Sequence, residues 1–228
     1  MLQQFQSTQD GDTVYNLLQQ QTEELEYDYY ALCVRHPVPF TRPKLTLQST
    51  YPQAWMSHYQ SENYFAIDPV LRSENFLRGH LPWNDQLFCD TPELWSGARD
   101  HGLNKGVTQC LTLPNHAQGF LSVSAKSAQP GRYQEDELEL RLRTLTELSL
   151  LALLRLEDGM VMPPEMKFSR RELEILKWTA EGKTSAEVAM ILSISENTVN
   201  FHQKNMQRKF NAPNKTQIAC YAVATGLI

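Results

Sequence analysis

The strongest constraint on the fold is a series of helix caps near the end of the 228-residue chain. Ser169 and Thr184 are each followed three residues later by a glutamate, which is the spacing of a capping box. Ser195 and Asn214 are further N-cap residues. Gly182 stands where a first helix should end. These signals predict four helices, at about 170–181, 185–192, 196–210 and 215–225.

The second and third of these helices are joined by the three residues 193–195, the short turn of a helix-turn-helix unit. Apolar residues recur at helical spacing on their inner sides. We expect Val188, Ala189, Ile191, Leu192, Ile194, Val199, Met206 and Phe210 to pack inward. The opposite stripe of the third helix carries amides, an aromatic ring and cations, namely Asn197, Asn200, Phe201, Lys204 and Arg208. Such groups can contact base edges and thymine methyls in the major groove. An ordinary amphipathic bundle with a solvated basic face fits the same pattern.

The charge of the chain is unevenly distributed. The net charge is −5, which is unfavourable for a protein that binds nucleic acid. Residues 165–228, however, carry nine Lys and Arg against six Asp and Glu, a net +3, whereas residues 1–164 carry twelve against twenty, a net −8. The positive charge therefore lies with the helix-turn-helix, where contacts to phosphates need it. The excess is small, so we expect tight binding only from a dimer.

The helix-turn-helix segment also resembles a known family. Residues Glu181–Ala189 and Ser195–His202 are similar to the DNA-binding domain of LuxR-type regulators. The resemblance implies that double-stranded DNA is a partner and that the third helix reads its bases. It implies base contacts by Asn200, Phe201 and Lys204, and phosphate contacts by Thr184, Thr198, Lys209 and Lys215.

The rest of the chain mixes helix and strand patterns. Helices are predicted at about 13–26, 51–60, 92–103 and 135–157, and strands at about 27–34, 44–50, 107–113 and 119–125. This order predicts an α+β protein: an N-terminal α/β/α sandwich with an antiparallel or mixed sheet, followed by a C-terminal all-α helix-turn-helix domain of four helices. Gly159, Pro163 and Pro164 indicate a linker. The predicted domains are residues 1–158 and 168–228, with residues 159–167 between them.

An aromatic stripe lies in the first domain. Tyr51, Trp55 and Tyr59 follow one another at helical spacing, and Asp68 precedes a proline a short distance later. An aromatic stripe of this kind fits core packing, and Asp before Pro fits a turn. Apolar pockets with a few polar groups have the same composition. The residue pattern alone therefore leaves core and pocket open.

Here too the chain resembles LuxR-type regulators. The spacing of the aromatic stripe, together with Asp68, Trp83 and Gly106, is similar to their acyl-homoserine lactone-binding domain, and the resemblance extends over the chain after about Val14. It implies a cavity for such a lactone, lined by Tyr51, Trp55, Tyr59, Phe65, Asp68, Val70, Trp83, Phe88, Trp95, Phe120 and Ser122. Ala31 stands where the resemblance leads us to expect a serine, so one polar contact to the ligand is expected to be missing.

Three polar side chains, those of Tyr51, Trp55 and Asp68, match the hydrogen-bonding groups of the ligand. A carboxylate only accepts hydrogen bonds, so Asp68 suits the amide N–H of the lactone. An indole N–H only donates, so Trp55 suits the lactone carbonyl, and the Tyr51 hydroxyl can donate to the amide carbonyl. A polar group buried without a partner costs about 1–3 kcal/mol. These roles are expected to hold the ligand's polar head.

Ligand binding is expected to complete the core of the first domain and to stabilise a homodimer that binds DNA. We expect dimer contacts from the helix at 135–157 and from the last helix around Ala219, Val223 and Leu227. A two-fold dimer would read a pseudo-palindromic site in promoter DNA. A constitutive regulator with a different acyl ligand or a vestigial sensor is the alternative.

Other functional classes lack their motifs in this chain. There is no HExxH zinc motif and no GxSxG nucleophile elbow. The run Gly182-Lys183-Thr184 resembles the end of a phosphate-binding loop, but Lys177 replaces its first glycine. The paired acids of a phosphorylated response-regulator domain are also missing. We therefore expect neither catalysis nor a metal or cofactor.

The cysteines and the N-terminus indicate a location. Cys33, Cys89, Cys110 and Cys220 show no CxxC spacing, which favours reduced thiols and the cytoplasm. Residues 1–12 are too polar for a signal peptide, and no apolar run is long enough to cross a membrane. No membrane association is expected.

Overall fold

The computed structural model describes residues 1–72, 79–127, 132–163 and 167–228. Contacts group the chain into two compact units. The first contains Met1–Val34, Leu45–Leu113 and Gln118–Val161, and the second contains Arg35–Lys44, Pro114–Ala117 and Met162–Ile228. The predicted domain boundaries stay predictions, because residues 164–166 of the predicted linker lie outside the described residues.

The first unit is built on a five-stranded sheet with the strand order β2-β1-β5-β4-β3. Its strands are β1 Tyr29–Arg35, β2 Leu45–Ser49, β3 His80–Pro82, β4 Lys105–Thr112 and β5 Gln118–Ala125. The β3–β4 and β4–β5 pairs are antiparallel, and Thr108 lies directly opposite Ser122. The strands predicted at about 107–113 and 119–125 are therefore confirmed, and they form an antiparallel pair.

Helices cover both faces of this sheet. They are α1 Leu2–Ser7, α2 Gly11–Glu24, α3 Gln53–Ser61, α4 Pro92–Asp100 and α5 Glu135–Arg155, with short 3₁₀ helices at Tyr64–Ala66 and Pro69–Leu71. A Cβ atom on Gly119 would lie 2.3 Å from Leu150 of α5, so this residue of β5 faces α5. Because side chains alternate along a strand, Phe120 and Ser122 face the layer of α3 and α4. The predicted α/β/α sandwich is confirmed.

Helix α1 and strand β3 of the first unit were not predicted. Helix α1 has a largely polar sequence, and tertiary contacts hold it in place. Phe5 is 1% exposed, and the Arg155 guanidinium donates to the carbonyl oxygens of Phe5 at 3.2 Å and Thr8 at 2.8 Å. Strand β3 has only three residues, which is too short to show an alternating pattern.

The second unit contains the four predicted helices. They are α6 Arg170–Ala180, α7 Ser185–Leu192, α8 Glu196–Phe210 and α9 Lys215–Ala224. Ser169 with Glu172 and Thr184 with Glu187 form reciprocal capping boxes. After α6 the chain turns at Gly182, whose φ of +82° favours glycine.

The core of the second unit largely follows the prediction. Its buried residues include Val188, Ala189, Val199, Met206 and Phe210, and Leu192 and Ile194 pack against them. The prediction for Ile191 is wrong, since its side chain is 44% exposed. Helix α7 has little more than two turns, and its buried face is narrow. Val188 and Ala189 lie on this face, whereas Ile191 lies outside it.

A buried amide joins three helices of this unit. Gln203 of α8 is 6% exposed. Its Nε2 donates to Thr179 Oγ1 of α6 at 3.2 Å, and its Oε1 accepts from Ser185 Oγ of α7 at 3.2 Å. A buried polar group stabilises a fold only when it is paired. This pairing fixes the rotation of α8 against α6 and α7, and hence the direction of its exposed stripe.

Replacing this amide should loosen the bundle. We expect Gln203→Ala to destabilise the second unit by about 1–3 kcal/mol, because the hydroxyls of Thr179 and Ser185 lose a buried partner. The measurement is amide hydrogen exchange along α8 in the full chain. The control is Gln207→Ala, whose side chain makes a single exposed hydrogen bond among the described residues, at 3.4 Å to the Pro213 carbonyl oxygen. Equal protection in the two variants would contradict the role of Gln203.

Candidate functional site

A cavity lies between the sheet and helices α3 and α4 of the first unit. Its volume is about 60 Å³, several times the space that a single buried water needs. It is lined by Ala31, Cys33, Leu47, Tyr51, Trp55, Met56, Tyr59, Phe65, Asp68, Val70, Leu71, Trp83, Phe88, Leu94, Ala98, Leu103, Phe120 and Ser122. The core side chains therefore leave space between these layers.

The cavity brings together all the predicted lining residues except Trp95. The Trp95 ring stacks on Phe88 with a centroid separation of 4.9 Å and an interplanar angle of 7°. Its Nε1 donates to Asp85 Oδ1 at 2.8 Å. Trp95 thus supports the wall from outside the lining and fixes the ring of Phe88.

Ala31 of β1 was predicted to lie beside the ligand, but several other lining residues were not predicted. Cys33 lies on the same face of β1 as Ala31, so the alternation of β1 together with its place beside β5 could have identified it. The others are aliphatic side chains whose sequence context is that of any core residue, namely Leu47, Met56, Leu71, Leu94, Ala98 and Leu103. Only the packing of α3 and α4 on the sheet identifies them.

A buried carboxyl group is the most polar feature of the lining. Asp68 is 9% exposed and caps the 3₁₀ helix that follows it. Its Oδ1 accepts from the Val70 N–H at 2.9 Å, and its Oδ2 accepts from the Tyr59 hydroxyl at 2.6 Å. Burial raises the pKa of Asp68 to about 6, although these two hydrogen bonds and the charge of Arg72 act in the opposite direction. The group can therefore change its charge near neutral pH.

The Tyr51 hydroxyl is the second polar feature. It is buried and has no hydrogen-bond partner among the described residues. Burial, and then the charge of Asp68, raises its pKa far above the usual range for tyrosine, so it stays a donor. Because an unpaired buried hydroxyl is costly, its position in the cavity wall indicates a partner that enters the cavity.

Two indole rings contribute to the wall in different ways. Trp55 is 3% exposed, and its Nε1 makes no hydrogen bond within the described part of the chain. Trp83 donates its Nε1–H to Thr108 Oγ1 at 2.9 Å, so it offers the cavity only ring carbons. The Trp83 ring lies on Gly106, where a Cβ atom would come within 2.2 Å of it. Trp55 is therefore the lining indole that can still donate.

The predicted DNA-reading stripe of α8 is accessible to solvent. Phe201 is 59% exposed, Lys204 is also exposed, and Asn200 is half-buried beside them. Thr184 and Thr198 lie in the caps at the starts of α7 and α8, and Lys215 begins α9. The second unit therefore presents these predicted contacts at helix N-termini and on one helix face, both of which suit phosphates and bases.

Lys209 differs from the other predicted phosphate contacts. Its ammonium group donates to Glu172 Oε2 and to the Lys167 carbonyl oxygen, both at 2.8 Å, and lies 4.9 Å from the centre of the Phe168 ring. Its charge is thus largely balanced by Glu172. A phosphate contact by Lys209 stays a prediction, and we expect it to be weaker than one by Lys204.

A membrane-spanning helix and a metal site are both absent from the described residues. No helix among them combines the length and the apolar character that a membrane span requires. Within the same ranges, no three His, Cys, Asp or Glu side chains are grouped as ligands for a metal ion.

Comparison with known proteins agrees with this division. Residues 10–155 match the autoinducer binding domain family, and residues 166–222 match the luxR family of bacterial regulatory proteins. The chain is 63% identical over 228 residues to the regulatory protein SdiA of Escherichia coli, covering 100% of this chain and 95% of that protein. It is 45% identical over 225 residues to the HTH-type quorum-sensing regulator RhlR of Pseudomonas aeruginosa, covering 99% and 93%. A solved structure of SdiA in complex with octanoyl-rac-glycerol matches with a TM-score of 0.90 and 63% identity, covering 100% of this chain and 93% of that one.

The carboxyl group of Asp68 should make the stability of the first unit depend on pH. Its pKa rises from 3.8 to about 6 on folding, so the folded state holds the proton more tightly than the unfolded state. The resulting stabilisation is complete below about pH 4 and is lost as the pH rises through about 6, a total change of roughly 3 kcal/mol. The measurement is the unfolding free energy of the wild type minus that of Asp68→Asn across this range. A difference that does not change with pH would contradict the assignment.

Proposed function

Because the chain belongs to the LuxR family of bacterial regulatory proteins, we propose that its cavity binds an acyl-homoserine lactone or a similar acyl amphiphile. The protein is a ligand-binding transcriptional regulator with a helix-turn-helix DNA-binding domain. The observation that supports the ligand most strongly is the buried Tyr51 hydroxyl without a partner, in the same cavity wall as the carboxyl group of Asp68.

The polar groups of the cavity complement the head of an acyl-homoserine lactone. Asp68, which takes its charged form above about pH 6, accepts the amide N–H. Tyr51 donates to the amide carbonyl, and Trp55 donates to the lactone carbonyl. The apolar side chains of the lining then contact the acyl chain, which contributes roughly 0.8 kcal/mol for each buried methylene.

A monoacylglycerol presents a related set of groups. The relative SdiA has been solved with octanoyl-rac-glycerol, whose ester carbonyl accepts hydrogen bonds and whose hydroxyls can donate. In this chain the carbonyl would face Tyr51 and a hydroxyl would face Asp68. The two ligand classes therefore share an acyl chain, a carbonyl acceptor and a donor near the carboxylate.

The second unit is proposed to bind promoter DNA through α8. Asn200, Phe201 and Lys204 would contact bases, and Thr184, Thr198, Lys209 and Lys215 would contact phosphates. The net charge of +3 over residues 165–228 favours phosphates only moderately, so a two-fold dimer that doubles the contacts is part of the proposal.

Exposed apolar side chains support such a homodimer. On α5, Leu140 is 65% and Leu151 is 41% exposed, and on α9, Val223 is 54% exposed. These side chains would be buried in a two-fold symmetric contact, in which both copies use the same surface patch. We propose that ligand binding stabilises the first unit by mass action and so raises the fraction of chains that can dimerise. A regulator that acts constitutively, with a vestigial sensor, is the alternative.

Two further proposals concern the location of the protein and the fate of its ligand. A protein that regulates transcription acts where the chromosomal DNA lies, which places it in the bacterial cytoplasm. Its relatives are regulatory proteins, and we propose that it binds its ligand without converting it. Recovery of the lactone intact after incubation with the protein would support this, whereas hydrolysis would refute it.

Removing the charge of Asp68 should weaken ligand binding. We expect Asp68→Asn to lower the affinity for N-octanoyl homoserine lactone roughly 10- to 100-fold at neutral pH, because a charge-assisted hydrogen bond is lost. The measurement is isothermal titration calorimetry on the full chain. The control is Asp136→Asn, which changes an exposed acid in the first turn of α5 that is outside the lining. Equal affinity of Asp68→Asn and the wild type would refute the role of Asp68.

Removing the positive charge on α8 should weaken DNA binding alone. After selection of a binding site from random duplexes, we expect Lys204→Ala to lose roughly 1–3 kcal/mol of DNA affinity and to keep its ligand affinity. The control is Lys177→Ala on α6, away from the reading face. Gel-shift titrations measure the affinities, and analytical ultracentrifugation of the complex measures its stoichiometry. Unchanged affinity would contradict the reading face, and one protomer per site would contradict the dimer.

A further inference from the structure

We propose that Thr108 is a positioning residue that fixes Ser122 as a hydrogen-bond donor toward the carbonyl oxygen of the ligand. Thr108 does not line the cavity, whereas Ser122 does. The inference rests on the proposed function, because it concerns how the same cavity distinguishes acceptor from donor groups in an acyl ligand.

The geometry places Thr108 behind the wall and between two lining residues. Its side chain is 0% exposed and Ser122 is 7% exposed. Their hydroxyl oxygens lie 2.8 Å apart across the β4–β5 pair. On its other side, Thr108 Oγ1 accepts the Nε1–H of Trp83 at 2.9 Å. These are the side-chain hydrogen bonds of Thr108 within the described residues.

Valence then determines the direction of the bond between the two hydroxyls. A threonine hydroxyl has one proton and two lone pairs, and Trp83 occupies one of the lone pairs. If Ser122 donated to Thr108, the Thr108 proton would be buried without an acceptor, at a cost of about 1–3 kcal/mol. If Thr108 donates to Ser122, its proton is satisfied. The Ser122 proton is then not used by Thr108 and can be donated into the cavity, where the Tyr51 hydroxyl is its neighbour.

The fixed position of the Trp83 ring keeps its hydrogen bond to Thr108 in place. The Trp83 backbone N–H donates to the Gly106 carbonyl at 2.8 Å, and the ring lies flat on Gly106, where even a Cβ atom would collide with it. The ring therefore cannot turn its Nε1–H toward the cavity without leaving Gly106 and losing its hydrogen bond to Thr108. Thr108 is held as an acceptor on that side, and so as a donor on the other.

The consequence is a cavity with donors on one side and an acceptor on the other. Ser122 lies close enough to Tyr51 to offset part of the rise in the pKa of Tyr51, so the two hydroxyls can share one acceptor. A carbonyl oxygen has two lone pairs and can accept from both. A ligand with a methylene at this point would leave two donors unpaired, which is how a site built for hydrogen bonding rejects an analogue.

A double-mutant cycle tests this inference. N-octanoyl homoserine lactone is titrated calorimetrically into the full-length wild type, Thr108→Val, Thr108→Ser, Ser122→Ala and the double variant Thr108→Val with Ser122→Ala. We expect Ser122→Ala and Thr108→Val each to lower the affinity roughly 5- to 10-fold, the effect of one hydrogen bond. The double variant should bind as Ser122→Ala does, because Thr108 acts through Ser122. Thr108→Ser should bind as the wild type does.

Each other outcome overturns the inference. Losses that multiply in the double variant would show that Thr108 acts independently of Ser122, and wild-type affinity of Thr108→Val would show that it does not act at all. If Thr108→Val does not fold, Trp83→Phe is used instead, because it removes the N–H that donates to Thr108. The loss of affinity caused by Trp83→Phe must then be smaller in the Ser122→Ala background than in the wild type. If the wild type binds neither the lactone nor 1-octanoylglycerol, the proposed function itself fails, which is distinct from binding without coupling.

Discussion

Both units depend on the same constraint, which is that a polar group buried among apolar side chains must have a partner. In the second unit the constraint is met within the chain, because the Gln203 amide is bonded to hydroxyls of α6 and α7. In the first unit it is met only in part. Asp68 has two internal donors, while the Tyr51 hydroxyl has none among the described residues. The complete hydrogen-bond network of the second unit fixes the orientation of α8. The incomplete network of the first unit makes the cavity selective for a ligand that supplies the missing hydrogen bond.

The charge of the chain is also divided between the part that binds the ligand and the part that binds DNA. The net −8 of residues 1–164 would repel phosphates, whereas the net +3 of residues 165–228 attracts them. Nonspecific contact of the ligand-binding part with DNA is therefore disfavoured, and the orientation on DNA is left to the helix-turn-helix. The small positive excess keeps a single chain weak, so that pairing of two chains has a large effect on affinity.

Local rules explain how much of the fold was visible in the sequence. Capping boxes at Ser169 and Thr184 act through neighbours three residues away, so the helices of the second unit were predicted almost to the residue. Helix α1 and the buried state of Gln203 depend on distant partners, and no local pattern encodes them. The cavity was predictable only through the family resemblance, since the stripe of Tyr51 and Trp55 alone fits an ordinary core. Even then Trp95 was misplaced, because its indole faces Asp85 and the sequence does not show which way a ring turns.

The close approach of Trp83 to Gly106 has a consequence for how this receptor can evolve. A hydroxyl or an aliphatic side chain of the lining can be exchanged for another, and the chain then acquires an altered preference among signals. Position 106 offers no such gradual route, since the first carbon of any side chain collides with the indole. Ligand preference can therefore change through substitutions at other positions of the wall, whereas any side chain at position 106 would displace the indole.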